Sequence, residues 1–370
     1  MLEKIVSHNE SNQRLDKLLK KHLNLAPSSF IYKMLRKKNI TLNGKKASGD
    51  EKLQEGDVIR YFLSDDTITK FRKIDQVGQK NGHSKYILQD DLYKEMTIVY
   101  EDENILVLNK PVGLLSQRSH PQDVSVVDYV ISFLLDTKQM TEEELQTFKP
   151  SICNRLDRNT SGLITAGKTL LGLQALSRAF HDRTLRKIYL CIVEGEVKQG
   201  DHIRGYLVKN EINNKVQVHP IPQHDIDTNY NKDTNYNKDS IKNIDVNNYK
   251  ESYIETEYHP IASNSQYSLL QVHLITGKTH QIRAHLASIG HAIVGDAKYN
   301  ARSSYLKHKQ QWGVTSQQLH AYSLTFLSDD EVFLSIRNKE IRCNPPKNFL
   351  KICEEYSWQL GTQEGFEVQP

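Results

Sequence analysis

Hydrophobic positions at the start of the chain follow a helical period and then an alternating one. Leu15, Leu18, Leu19 and Leu23 repeat so as to leave Lys17, Lys20 and Lys21 on the outer side, which predicts a helix. Pro27-Ser28 is the start signal for a second, with Ile31, Met34 and Leu35 as its apolar face. Ile40 and Leu42 alternate with polar neighbours before Asn43-Gly44, a dipeptide that favours a two-residue hairpin, and Gly56-Asp57 turns the chain into a strand at 58–62. Two further strands, 96–100 and 105–109, flank the turn Glu101-Asp102-Glu103-Asn104, and Lys110-Pro111-Val112-Gly113 closes them with a bend that reads equally as a functional loop or a structural turn.

Helical spacing returns over 125–135, in a shorter piece at 142–148, and over 170–180, where the pattern ends in Arg178, Arg183, Arg186 and Lys187. Apolar runs predict strands at 187–193 and 267–274, the second followed by the turn Thr276-Gly277-Lys278 and a helix over 281–289 stopped by Gly290. Turn and strand patterns at 293–296 and 319–326 and a short helix after Pro345-Pro346 complete the ordered pattern. Periodicity fails in three places. Residues 64–93 read as a polar linker, and 356–370 as a polar tail. Residues 219–258 read as a solvent-exposed, low-complexity insertion, because Asp-Thr-Asn-Tyr-Asn-Lys at 227–232 is repeated at 233–238 and cannot bury a core. The expected division is therefore 1–63, a linker, 94–355 and the tail.

At 370 residues and 38% hydrophobic content the chain is large enough for two cores. It has no apolar run near the ~20 residues of a bilayer-spanning helix, and its first residues lack a secretory apolar core, so a cytoplasmic protein without a membrane partner is expected. Cys153, Cys191, Cys343 and Cys353 are scattered without CxxC spacing and read as reduced thiols. Net charge is only +4, but Arg14 to Lys46 holds ten Lys or Arg residues against one acid, Asp16. Lys33, Arg36, Lys37 and Lys38 cluster at the end of the second helix, a surface suited to a phosphate backbone, although a charge run can also be mere solvated surface.

The candidate chemistry centres on 154–162, where Asp157 lies between Arg155 and Arg158 and precedes Thr160-Ser161-Gly162. Flanking guanidinium groups favour the ionised acid and burial disfavours it. A structural ion pair with Arg155 or Arg158 fits that spacing too. His280, Arg283 and His285 lack the i, i+4 pair with an intervening Glu of a helical zinc site, so no metal is expected, and Arg283 is a natural partner for Asp157.

Three blocks carry a resemblance: Ile105-Leu106-Val107-Leu108-Asn109-Lys110-Pro111-x-Gly113; Asn154-Arg155-Leu156-Asp157-x-x-Thr160-Ser161-Gly162; and Thr276-Gly277-Lys278-Thr279-His280-Gln281-Ile282-Arg283-x-His285-Leu286, continuing to Gly290-His291-x-Ile293-Val294-Gly295-Asp296. In order and spacing the chain resembles the RluA/RluD-type pseudouridine synthases. Residues 12–63, with Arg14-Leu15-Asp16-x-Leu18-Leu19, resemble the S-four-like RNA-binding module. The resemblance implies an α+β fold, a mixed, mostly antiparallel sheet with flanking helices, beside a small αα-hairpin-plus-sheet domain. It also implies isomerisation of uridine in RNA without cofactor or metal, by a monomer, with ribosomal RNA favoured and transfer RNA the other candidate.

By position, Asp157 would be the catalytic aspartate, Tyr189 the tyrosine stacked on the base, and Arg283 the arginine paired with the aspartate. Arg155 would fill the gap left by the extruded nucleotide, and Arg158, Lys187 and His280 would contact RNA. Three positions depart from the family pattern: Asn154 stands where His is usual, Asn159 where an acid is frequent, and Lys278 where Arg is usual. Two other readings remain, a catalytically inactive RNA-binding protein on the same fold and a glycosidase using Asp157 and Asp296 as paired carboxylates.

Overall fold

The computed structural model describes residues 2–72, 91–210, 216–220 and 249–360. In the first stretch β1 (Leu2–Ile5), α1 (Leu15–His22), α2 (Ser28–Arg36), β2 (Ile40–Leu42), β3 (Lys45–Lys46) and β4 (Val58–Tyr61) form two helices on a sheet ordered β1-β4-β2-β3. The leucines of α1 and Ile31 and Leu35 of α2 are buried with Ile40, Ile59 and Tyr61. That packing leaves Lys33, Arg36, Lys37 and Lys38 exposed. Asn43 and Gly44 both take positive φ, 51° and 74°, as the tight turn between β2 and β3 requires.

The stretch expected to be a linker begins instead with α3 (Asp65–Phe71), capped by the Ser64 hydroxyl. Its Phe71 ring lies 4.5 Å from that of Phe30, so the helix packs back onto the N-terminal unit. An isolated short helix gains little from its own hydrogen bonds, and this tertiary contact is what the local pattern could not announce.

The remainder comprises α4 (Asp91–Lys94), β5 (Thr97–Glu101), β6 (Ile105–Lys110), α5 (Val126–Asp136), α6 (Glu144–Thr147), β7 (Ser151–Ile152), β8 (Ser161–Gly167), α7 (Leu170–His181), β9 (Leu185–Glu194), β10 (Asp201–Asn210), β11 (Val216–Pro220), β12 (Tyr249–Ser263), β13 (Tyr267–Leu274), α8 (Gln281–Ser288), α9 (Arg302–Trp312), β14 (Leu319–Phe326), β15 (Glu340–Arg342) and α10 (Lys347–Glu355). The strands form one 11-stranded sheet with the path β11-β10-β12-β13-β9-β14-β8-β6-β5, to which β15 and β7 add at β14 and β8. Only the β14–β8 pairing is parallel among the described strands.

Alternation along the central strands explains why both faces are covered. Leu106, Leu108 and Ile164 point to α5, whereas Ile105, Val107 and Leu163 point to α7. On the other half, Tyr189, Cys191, Leu270 and Val272 pack with α8, and Leu190, Ile192 and Leu269 pack with Trp312 and Phe349. Gly162 is obligatory at the β8–β14 crossing: its φ is 112°, and a Cβ there would lie 2.3 Å from the Ala321 carbonyl oxygen.

Order extends further into two regions than the pattern predicts. His219 and Pro220 belong to β11, and residues 249–258 are the first part of the long strand β12, so the Asn-rich stretch begins and ends in sheet; residues 221–248, the duplication included, lie outside the described residues. Tyr356, Trp358 and Leu360, expected in a polar tail, pack against the cluster of Tyr267, Trp312 and Phe349. Their aromatic area outweighs the polar residues around them.

Candidate active site

Asp157 lies in the loop between β7 and β8, and the backbone on both sides of it is fastened to the segment 110–116. Ser116 Oγ donates to the Leu156 carbonyl at 2.7 Å and accepts from the Leu156 amide at 3.0 Å. On the other side the Arg158 carbonyl accepts from the Gly113 amide at 2.9 Å and from Lys110 Nζ at 3.1 Å. Lys110 is fully buried and also donates to the Pro111 and Leu114 carbonyls. Burial pushes its ammonium down to about 7, against the pull of the Asp157 charge. The Lys-Pro-x-Gly bend is thus the clamp of the Asp157 loop rather than a plain turn. Asn154 secures the loop's entry, its Oδ1 accepting from the Thr165 amide and hydroxyl and its Nδ2 donating to the Leu163 carbonyl.

The carboxylate of Asp157 is about a quarter exposed, and its Oδ2 accepts from Arg283 Nη1 at 2.7 Å. Arg283 is presented by α8 and turns its other edge onto Asp296, with Nε to Oδ2 at 2.7 Å and Nη2 to Oδ1 at 2.9 Å. Asp296 has no exposed surface and also accepts from the Lys298 and Tyr299 amides. One guanidinium therefore bridges two carboxylates, and the fork geometry leaves it little freedom. Burial alone would lower the Arg283 pKa, but the bonds and charges of Asp296 and then Asp157 outweigh it and hold it above its ordinary value. The ring of Tyr299 lies beneath the guanidinium, 5.2 Å from ring centroid to Cζ.

His280 enters α8 in a left-handed conformation, φ 58°. Its Nδ1 lies 3.0 Å from the Tyr299 hydroxyl and its Nε2 3.7 Å from Asp157 Oδ2. Burial pulls its pKa down and the nearby Asp157 pulls it up, with a net lowering that favours the neutral ring.

Asp157, His280 and Arg283 line a cavity of about 950 Å3 in which Asp157 is the one carboxylate and Arg155, Arg158, Arg183, Lys187, Lys278 and Arg283 are the cations. Tyr189 forms part of its wall from β9, and burial, reinforced by the Asp157 charge, raises the pKa of its hydroxyl, so it is a neutral phenol. Lys187, two residues before it, is half-buried; burial and then the Arg183 charge push it down to about 8. Arg155 is exposed at the cavity, whereas Arg158 is tied by its Nε to the Gly113 carbonyl at 2.9 Å.

Asp157, Tyr189, Arg283, Arg155, Arg158, Lys187 and His280, singled out from the sequence, all line this cavity, while Lys33, Arg36, Lys37 and Lys38 lie in the N-terminal unit. The partner of Asp157 is Arg283, 126 positions away, and not its flanking arginines. Asp296 lies behind Arg283 and does not line the cavity, which removes the paired-carboxylate geometry a glycosidase needs. Sequence reasoning gives no site role to Ser116, Lys110 or Tyr299, and gives Asp296 one only as the second carboxylate of a glycosidase. Lys110 and Asp296 fall inside the recurring motifs, but only the folded chain shows that both are buried. No group of three or more metal-ligating side chains is gathered among the described residues.

The family model for RNA pseudouridylate synthase matches residues 104–288, and that for the S4 domain matches 13–59. The chain is 31% identical to an uncharacterized RNA pseudouridine synthase of Mycoplasma capricolum, over 93% of this chain and 98% of that one. It is 28% identical to the ribosomal large subunit pseudouridine synthase C of Vibrio vulnificus over 87% of each chain. The fold is shared with human RNA pseudouridylate synthase domain containing 4, at a TM-score of 0.54 and 19% identity, covering 73% of this chain and 96% of that one. A matched region that takes in the whole Asp157 loop, and relatives aligned along nearly the entire length, show that this chain belongs to the RNA pseudouridylate synthase family and is an RNA uridine isomerase with an S4 domain ahead of its catalytic fold.

Proposed function

We propose that the enzyme converts uridine to pseudouridine in large-subunit ribosomal RNA, with Asp157 as the catalytic carboxylate. The carrying observation is the Asp157 carboxylate, locked to Arg283 at 2.7 Å in a cavity whose other charged lining groups are cations. The reaction breaks the bond from C1′ to N1, turns the base and forms the bond from C1′ to C5, and it balances by loss of the C5 proton and protonation of N1. A carboxylate beside the sugar serves attack at C1′ and proton removal from the sugar alike, and Arg283 keeps it aimed. Extruding a base from structured RNA costs roughly a few kcal/mol, which cationic contacts to the backbone offset. Arg155, exposed beside Asp157, occupies the space the base vacates, and Tyr189 offers its ring to the base. Arg158, Lys187 and His280 hold the nucleotide, and Lys33, Arg36, Lys37 and Lys38 hold backbone phosphates farther along. The same reading makes the enzyme a cytoplasmic monomer that works without metal or cofactor.

The choice of ribosomal RNA rests on the named activity of the Vibrio relative. Incubation with unmodified large-subunit ribosomal and transfer RNA transcripts, followed by chemical mapping, is expected to give pseudouridine at defined sites in the former. Pseudouridine in transfer RNA alone overturns the substrate, and pseudouridine in neither overturns the assigned roles.

A second expectation concerns Lys187, pushed down to about 8. Below that pH it is charged and attracts phosphate, and above it the attraction is lost. RNA affinity should therefore fall as pH rises from 7 to 9, and Lys187→Arg should flatten this part of the profile, since guanidinium stays charged throughout. Titration of labelled RNA across that range checks it; the same slope in both proteins would refute the assignment.

A further inference from the structure

The seam between the N-terminal unit and the catalytic fold contains a charged group that the catalytic reading does not use. Glu10, in the N-terminal unit, has no exposed surface. Its Oε1 accepts from Thr147 Oγ1 of α6 at 2.7 Å and from Lys4 Nζ at 3.0 Å, and its Oε2 accepts from the Ser7 amide and hydroxyl at 3.1 and 3.2 Å. Burial alone would raise its pKa, but the bonds from Thr147, Ser7 and Lys4 outweigh burial and hold the carboxyl below its ordinary range. Beside it Arg72 Nη2 donates to Gln146 Oε1 at 3.1 Å. The helix that receives both contacts is itself anchored, because Leu145 and Phe148 are buried in the same apolar cluster as α5, β6 and β8.

A buried carboxylate is tolerated only where it is fully bonded. Thr147 completes that set from the other unit, so the two-unit arrangement, and not the N-terminal unit alone, satisfies Glu10. We infer that the S4 unit is docked on the catalytic unit through this seam, so that its basic helix end and the Asp157 cleft form one RNA-binding surface of fixed spacing, selecting RNA long enough to touch both. The inference rests on the RNA-modifying reading above but turns on binding, not on turnover. Two contact regions held at fixed spacing engage a long RNA as one ligand, whereas a loose tether lowers the effective concentration of the second contact.

The test pairs Thr147→Val, which keeps the side-chain volume and removes the donor, with Arg72→Ala in one protein. Dissociation constants are measured for an unmodified large-subunit ribosomal RNA transcript and for a short hairpin cut from around a modified uridine. The expected result is about tenfold weaker binding of the long transcript and hairpin binding within about twofold of wild type. Thr147→Ser with Arg72 intact should restore the long-transcript affinity. Unchanged binding of the long transcript, or equal losses for both RNAs in a variant whose urea unfolding matches wild type, would overturn the docking. If the wild type forms no pseudouridine in either RNA, the roles proposed for the cleft fail, and the binding ratio still decides the docking.

Discussion

Asp157→Ala is expected to lower pseudouridine formation by at least about 10⁴-fold while leaving RNA binding equal to or tighter than wild type. The two halves of this result have separate causes. On the proposed reading, chemistry at C1′ needs the carboxylate, and the cavity lining holds no second acid to replace it. Binding needs the cations, and removing the one negative group from their midst relieves repulsion with the phosphates. The loop itself should survive, since its clamps from Lys110, Gly113 and Ser116 reach the backbone at 156 and 158 and not the Asp157 side chain. Single-turnover assays with saturating enzyme, alongside filter binding, separate the two. An Asp157→Ala protein that modifies RNA at the wild-type rate would sink the catalytic assignment, and one that no longer binds RNA would show that the loop had collapsed.

The second large effect lies at Arg283. Replacing it with alanine leaves Asp296 fully buried beside an empty space, with the amides of Lys298 and Tyr299 but no guanidinium to hold it. Removing one partner of a buried ion pair typically costs about 3–5 kcal/mol, far more than the ~0–1 kcal/mol of an exposed pair, because the remaining charge has lost both its water and its counter-ion. Arg283→Ala should therefore lose stability in urea unfolding of the catalytic unit and activity together. Asp296→Asn in the Arg283→Ala background should recover much of the stability, since the stranded charge is gone, but none of the activity, since Asp157 still lacks its guanidinium. That non-additivity is the signature of one shared network. Strictly additive stability losses would show that Arg283 and Asp296 do not act as a pair.

Much of this was written locally. The leucine spacing of α1, the Asn43-Gly44 turn and the apolar runs of β9 and β13 each follow from neighbours a few residues apart, because helix and strand periods are local geometry. The motifs of the resemblance likewise brought Asp157 and Arg283 into view as one set, and position within the resemblance added Tyr189. What had no local expression was what a residue meets across the fold. Asn154 pins the loop to β8 through its side-chain amide. Trp358 sits in a stretch that reads as polar yet packs onto the core, and α3 gains its place from Phe30 rather than from its own sequence.

By itself, then, the sequence determined the helices and strands with strong local periods and the family, and it singled out Asp157 as the candidate carboxylate. Arg283, which the sequence already offered as the partner of Asp157, meets it across 126 residues; only the tertiary structure decided that Asp296 lies behind it as a second anchor and that Glu10 finds its last partner 137 residues away at Thr147. The reason is physical: a charge stays buried only where its partners meet it in space, and that meeting depends on how the sheet brings distant loops together.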